Sequence, residues 1–137
     1  MQFHNKKNKI LIIDFGSQVT KLIARRVREL GVFSEIIPSK ELYKIKNFSN
    51  IKGFIFSGGP STVTKKQFQS VPPEIFKKKI PILGICLGFH ALFESSNEFG
   101  IFEGFGFIKG KIQNIKSLEI EERIPHVGWN DCNLKKN

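Results

Sequence analysis

Cysteine is scarce in this sequence. Its 137 residues hold two, Cys86 and Cys132, too few for a disulfide framework and in keeping with a reducing compartment. Histidine is nearly as rare: His4, His90 and His126 stand far apart. Neither they nor the cysteines pair at metal-ligand spacing, so no metal and no other cofactor is expected. Long apolar runs are missing. The run Ile10-Leu11-Ile12-Ile13 stops at Asp14, too short for a signal peptide or a membrane span, so the expectation is a cytoplasmic protein with no membrane partner. Acidic residues number 12 against 22 Lys and Arg, a net charge of +10. The basic residues are scattered as Lys6-Lys7, Arg25-Arg26, Lys65-Lys66, Lys77-Lys78-Lys79 and Lys135-Lys136. Without a helix-turn-helix, zinc-finger or RNA-recognition signature they read as a solvated surface, and no nucleic-acid partner is expected. The aromatic residues are almost all Phe, 14 against one Tyr and one Trp, which reads as compositional drift rather than a binding feature.

The remaining residues alternate between two periodicities. Lys9 to Phe15 reads as a buried strand of a parallel sheet, since four β-prone apolar residues follow one another. From Val19 the spacing becomes helical, with Val19, Leu22, Ile23, Val27 and Leu30 forming the apolar face. Gly31 sits where a helix C-cap glycine belongs. Strands follow at Phe33–Ile37, Gly53–Ser57 and Ile80–Ile85, with helical stretches near Glu41–Ile45, after Pro72-Pro73-Glu74 and from Leu87 to about Ser95. Such alternation predicts an α/β fold with a parallel sheet. Beyond Asn97, glycines at 100, 104, 106 and 110 punctuate short Phe- and Ile-containing pieces, and Ile112 to Ile124 reads as extended, though Glu119, Glu121 and Glu122 would also suit a helix. No repeat, linker or low-complexity segment breaks the chain, so residues 1–137 are read as one domain.

The segment with the clearest chemistry is Ile80-Pro81-Ile82-Leu83-Gly84-Ile85-Cys86-Leu87-Gly88. A buried strand delivers a cysteine to a tight turn from which a helix starts, with Gly84 and Gly88 two residues to either side. This is the thiol counterpart of the G-x-S-x-G nucleophile elbow, whose sharp turn leaves no room for bulky neighbours. Unpaired N–H groups at the start of the helix favour the thiolate, the attacking form. A small buried cysteine without chemistry is the competing reading. Phe56-Ser57-Gly58-Gly59-Pro60 follows the third strand, and its glycines allow backbone N–H groups to approach a substrate. The N–H groups of Gly59 and Leu87 could then form an oxyanion hole, although a plain Gly-Pro turn fits the same letters. Lys65 and Lys66 lack the glycine-lysine-Ser/Thr arrangement of a phosphate loop, and Gly104-Phe105-Gly106 does not run from a strand into a helix.

Together these residues resemble the class I glutamine amidotransferase family over nearly the whole chain. Asp14-Phe15-Gly16-Ser17-Gln18, Ile23 to Gly31, Ser57-Gly58-Gly59-Pro60-Ser61 and Pro81 to Cys86 carry the likeness in residues 1–85, closest to the branch that serves GMP synthesis. In residues 84–137, Leu83 to Gly100, Gly104 to Gly110 and Ile124-Pro125-His126-Val127-Gly128-Trp129-Asn130 look like the branch that serves imidazole glycerol phosphate formation and histidine biosynthesis. The resemblance implies a flavodoxin-like, doubly wound, mostly parallel sheet with helices on both faces. It implies Cys86 as nucleophile toward the side-chain amide of glutamine, Gly59 and Leu87 as oxyanion-hole positions, and Gly58, Gly59 and His90 as substrate-binding positions. It further implies that ammonia passes to a synthase domain or subunit, with Trp129 near the surface facing that acceptor; a core anchor beside Gly128 is the competing reading of Trp129.

Two departures qualify these expectations. Where the family has glutamine four residues after the nucleophile, this chain has His90, whose reach and charge differ. The triad histidine and glutamate belong to a downstream His-x-Glu segment, and Asn137 is reached without one. The domain is therefore expected to lack its C-terminal part and to be inactive in isolation. His126 is followed by Val127-Gly128 and His4 precedes the first strand, so neither is expected to replace the missing base. A catalytically inactive remnant or interaction module is the alternative of another class.

Overall fold

The computed structural model describes residues 8–59, 71–98, 100–118, 123–131 and 133. Its main sheet is parallel, in the order β2-β1-β3-β4, from strands β1 (Lys9–Asp14), β2 (Ser34–Pro38), β3 (Ile51–Phe56) and β4 (Ile82–Gly84). Side chains alternate across a strand, so β1 and β3 each feed two cores. Leu11, Ile13, Phe54 and Phe56 point to one face, where they meet Leu42 and Ile75. Leu42 lies on a 3-10 helix, Ser39–Lys44, and Ile75 on α2 (Glu74–Lys77). Ile12 and Ile55 point to the other face and pack on Ala24 of α1 (Thr20–Glu29). Helical elements thus cover both faces of a mostly parallel sheet, the expected doubly wound architecture.

Three expectations need correction. First, the buried side of α1 is formed by Thr20 and Ala24 with half-buried Ile23 and Val27, whereas Val19, Leu22 and Leu30 are 44%, 51% and 82% exposed. The helix comes close to the sheet through its smallest side chain. Ser34, fully buried on β2, donates its hydroxyl proton to the Ala24 carbonyl at 3.1 Å, and that contact selects the inward face over the bulkier stripe. Gly31 ends the segment at φ 77°, as a C-cap glycine should.

Second, β4 is the edge of the sheet among the described residues rather than a buried strand, and Leu83 on it is more than half exposed. Third, the helix after Cys86 is a single turn, α3 (Leu87–His90), not a run to Ser95. The glycine-rich stretch captures the following backbone. Phe105 N–H donates to the Ala91 carbonyl at 2.7 Å, Ile108 N–H to Leu92 at 2.8 Å and Gly106 N–H to Phe93 at 3.0 Å. A methyl on Gly104 would lie 2.0 Å from the Phe93 carbonyl oxygen, so only glycine permits this approach. The result is a second sheet in the order β6-β5-β7, built from β5 (Phe93–Ser96), β6 (Phe102–Glu103) and β7 (Ile108–Ile112). The extended reading of Ile112 to Ile124 meets a 3-10 helix at Ile115–Leu118. His4, Pro60, Ser61, Lys65, Lys66, the segment 119–122 and Cys132 lie outside the described residues.

Phenylalanine joins the two sheets. Phe56, fully buried, meets Phe15, Phe76 and Phe105 edge-on at centroid distances of 5.8, 6.1 and 5.8 Å. The phenylalanine excess of the composition is thus in part a core feature. No described helix is long and apolar enough to cross a membrane.

The corrected face of α1 has a direct consequence. Ala24→Leu should overpack the sheet contact and lower unfolding free energy by about 1–3 kcal/mol. Leu22→Gln, on the exposed side, should change it by less than about 0.5 kcal/mol. Urea unfolding of both variants measures the difference, and the reverse ranking would show the assigned face to be wrong.

Candidate functional site

The sheet order reverses direction between β1 and β3, because the chain winds to β2 on one side and to β4 on the other. In open α/β sheets, that switch point leaves a crevice beyond the carboxyl ends of the strands. Three strand ends meet there: Asp14 to Ser17 after β1, Ser57 to Gly59 after β3, and Cys86 after β4.

The β1 end is organised by one carboxylate oxygen. Asp14 Oδ1 accepts from the N–H groups of Gly16 at 2.8 Å and Ser17 at 3.2 Å, and lies 2.9 Å from Thr20 Oγ1. This turns the backbone sharply, with Gly16 at φ 94°, and starts α1 directly above the strand. Ser57, fully buried on the neighbouring strand end, has its hydroxyl oxygen 3.1 Å from Thr20 Oγ1. That oxygen also accepts from Phe15 N–H at 3.4 Å.

Cys86 adopts φ 50°, ψ −120°, a backbone region that costs a side-chain-bearing residue about 1–3 kcal/mol. Its flanking glycines explain why it stays there. A methyl on Gly88 would stand 2.2 Å from the Phe56 carbonyl oxygen and 2.5 Å from that of Ser57. One on Gly84 would stand 2.4 Å from Phe89 Cα. The turn therefore seats backbone on backbone at the end of β3, held by Ile85 N–H donating to the Phe56 carbonyl at 2.9 Å. The thiol is exposed rather than lost in the core. A methyl on Gly58 would come within 3.5 Å of both Cys86 Cβ and Ser17 Oγ, so the three strand ends face one another.

The Gly59 and Leu87 N–H groups have no hydrogen-bond acceptor among the described residues; Leu87 follows Cys86 in the chain, and Gly59 follows the Gly58 that stands against it. Because α3 is one turn long, it carries little of a full helix macrodipole.

His90 lies one turn after Cys86, and its N–H donates to the Cys86 carbonyl at 3.1 Å. Its ring is tied sideways, with Nδ1 3.3 Å from Glu98 Oε2. That contact leaves Nε2 as the ring nitrogen that does not face Glu98. His126 is occupied elsewhere: its Nε2 lies 3.2 Å from Asn130 Nδ2. Trp129 is fully exposed, as is most of Val127. Among the described residues, no hydrogen bond or ion pair links this segment to the elbow. No group of three His, Cys, Asp or Glu that could hold a metal ion occurs among them either.

Sequence reasoning gives no role to Asp14, Ser17, Thr20 or Ser57. A signal exists for the first two, since an Asp three residues before a Ser, with Gly between, is a common side-chain-capped turn. Thr20 and Ser57 carry none, because their partners lie on other segments.

Residues 11–135 match the family profile described as glutamine amidotransferase class-I. The chain is similar to the GMP synthase [glutamine-hydrolyzing] of Paraburkholderia phytofirmans, 46% identical over 115 residues, covering 81% of this chain and 22% of that protein. It is similar also to that of Borrelia garinii subsp. bavariensis, 54% identical over 80 residues, covering 58% of this chain and 15% of that protein. It thus spans about a fifth or less of the length of these curated relatives. A solved structure from Thermoplasma acidophilum, provisionally assigned to one subunit of GMP synthase, superposes with a TM-score of 0.52 at 34% identity, over 65% of this chain and 46% of that one.

The strained elbow can be tested by substitution. Cys86→Gly should be more stable than Cys86→Ala by about 1 kcal/mol, since only glycine is relaxed at this φ and ψ. Gly88→Ala should be worse than either, because its new methyl has no space. Denaturant unfolding ranks the three, and Cys86→Ala equal to or above Cys86→Gly in stability would show that the elbow is not strained.

Proposed function

The chain belongs to the class I glutamine amidotransferase family, and we propose that it forms the glutaminase part of a GMP-synthase-like enzyme, releasing ammonia from glutamine for a purine-synthesising partner. The observation that carries this reading is the exposed Cys86 thiol on a strained elbow, facing the Gly58 backbone. The GMP synthase relatives support the purine side. The match to the Paraburkholderia protein covers 81% of this chain, a span that cannot fit within the first 85 residues and so continues past the elbow.

In this reading the Cys86 thiolate attacks the side-chain carboxamide carbon of glutamine. The electron pair of the C=O bond moves to oxygen, and in this reading the oxyanion is held by the N–H groups of Gly59 and Leu87. Collapse of the intermediate re-forms the C=O bond and breaks the C–N bond, and ammonia leaves with a proton. Water then attacks the thioester, returning the thiolate and glutamate. Gly58 allows the amide to approach the sulfur, because any side chain there would fill the space before Cys86. His90, its Nδ1 beside Glu98, presents its other ring nitrogen, Nε2, to the amino-acid end of glutamine. Trp129 and Val127 supply the apolar contact for the ammonia-accepting synthase.

Proton transfer is the step these residues do not complete. The thiol must lose a proton and the leaving nitrogen must gain one. His90 is tied to Glu98 and His126 sits beside Asn130, and no His-x-Glu segment occurs in the 137 residues. A polypeptide of this sequence should bind and react with glutamine analogues yet turn over slowly.

A chloromethyl ketone copying glutamine should alkylate Cys86 and leave Cys86→Ala unlabelled, as read by peptide mass. Glutamate release by the same polypeptide should fall at least about a thousandfold below that of a chain carrying the complete triad. Absence of labelling at Cys86 would sink the nucleophile assignment. Rapid turnover abolished in Cys86→Ala would instead show that the base is present within these residues.

A further inference from the structure

The buried Ser57 hydroxyl sits beside the Gly58–Gly59 peptide but takes no part in the chemistry so far described. Its oxygen lies 3.1 Å from the Gly58 carbonyl oxygen, 3.1 Å from Thr20 Oγ1 and 3.4 Å from the Phe15 nitrogen. A hydroxyl has one proton to give, and the surroundings decide where it goes. Phe15 N–H can only donate. If Thr20 donates to Ser57, the Ser57 proton is left for the Gly58 carbonyl. If Thr20 donates instead to the Asp14 carboxylate, 2.9 Å away, a carbonyl is still a better acceptor for Ser57 than another hydroxyl. Either arrangement places the Ser57 proton on the Gly58 oxygen.

That bond fixes a direction. The Gly58 C=O and the Gly59 N–H belong to one planar trans peptide and point in opposite senses. Ser57 Oγ lies on the β1 side of β3, among Phe15 and Thr20. A carbonyl turned toward it sends the Gly59 N–H the opposite way, and Gly58 itself stands against Cys86, since a methyl on it would lie 3.5 Å from Cys86 Cβ. With glycine on both sides, this peptide has few steric obstacles to turning over.

We propose that Ser57 is a positioning residue that holds the Gly58–Gly59 peptide with its N–H aimed at the oxyanion formed on Cys86, with Thr20 and Asp14 orienting the hydroxyl from behind. For this role Cys86 must attack a carboxamide as proposed above. Ser57 itself touches no reacting atom. Its loss leaves the thiol intact but removes the donor's fixed aim.

Two electrophiles separate these effects. The glutamine chloromethyl ketone reacts through a carbonyl that the Gly59 N–H polarises, whereas iodoacetamide reports the thiol alone. With both reactions followed at Cys86 by peptide mass, Ser57→Ala should slow the ketone about tenfold or more and iodoacetamide by less than about twofold. Ser57→Thr, which keeps the hydroxyl, should return the ketone rate to within about threefold of the parent. Equal loss with both reagents would make Ser57 merely structural and overturn the proposal. An unchanged ketone rate in Ser57→Ala, with rapid labelling of the parent, would overturn it while leaving the glutaminase reading intact. A parent chain that reacts no faster with the glutamine ketone than with chloroacetone would overturn both. A crystal structure of the parent ketone adduct gives a check independent of variant folding. The Gly58 carbonyl should remain on Ser57 Oγ, and a peptide turned over in the adduct would refute the assignment.

Discussion

A missing side chain at residue 88 sets the position of the Cys86 thiol. The carbonyl oxygens of Phe56 and Ser57 occupy the place where a Cβ on Gly88 would stand. The start of α3 therefore rests directly on the end of β3, backbone against backbone. Gly84 provides the same kind of contact against Phe89. With both seats made, the chain reverses within the residues between them, and Cys86 takes a φ of 50°. Backbone geometry aims the Cys86 side chain, which is why its direction tolerates a strand beneath it that is the sheet edge among the described residues.

Other features serve to keep the end of β3 in place. Phe56 anchors it from below through edge-on contacts with Phe15, Phe76 and Phe105, each worth about 0.5–1.5 kcal/mol beyond the area it buries. Ser57 holds it from the side through Thr20 and the Phe15 N–H. Asp14 in turn gathers the loop that carries Ser17 and Thr20. The three loops around Cys86 are thus coupled through strand ends that share a core. A disturbance at any one of them is expected to be felt at the others, in contrast to loops joined only through solvent.

The second sheet shows where local reading stops being reliable. The residues after Cys86 have helical spacing, yet the helix ends at His90. Backbone groups from Ala91 to Glu94 find partners in the segment around Gly104, whose lack of a side chain lets it come within bonding distance. A helix four residues long forgoes few hydrogen bonds by stopping, and strand pairing replaces them. The face of α1 departs from its sequence pattern for a related reason. The pattern favours the bulkier stripe through Leu22 and Leu30, but close packing on the sheet is available only through Ala24 and Thr20.

Features that depend on neighbours in sequence were legible from the letters alone. The run Ile10 to Ile13, the cap at Gly31, the glycines around Cys86 and the alternation of strand with helix each arise from local backbone preference, so pattern and spacing suffice to identify them. Which residues meet Cys86 was decided by tertiary structure. Ser17, Ser57 and Gly58 lie at strand ends brought side by side only by parallel pairing at long separation in the chain. The tie between His90 and Glu98, the edge position of β4 among the described residues and the exposed face of Trp129 were settled in the same way. Hydrogen bonds and close packing between distant segments leave no periodic trace in a sequence, because their geometry exists only once the sheet has formed.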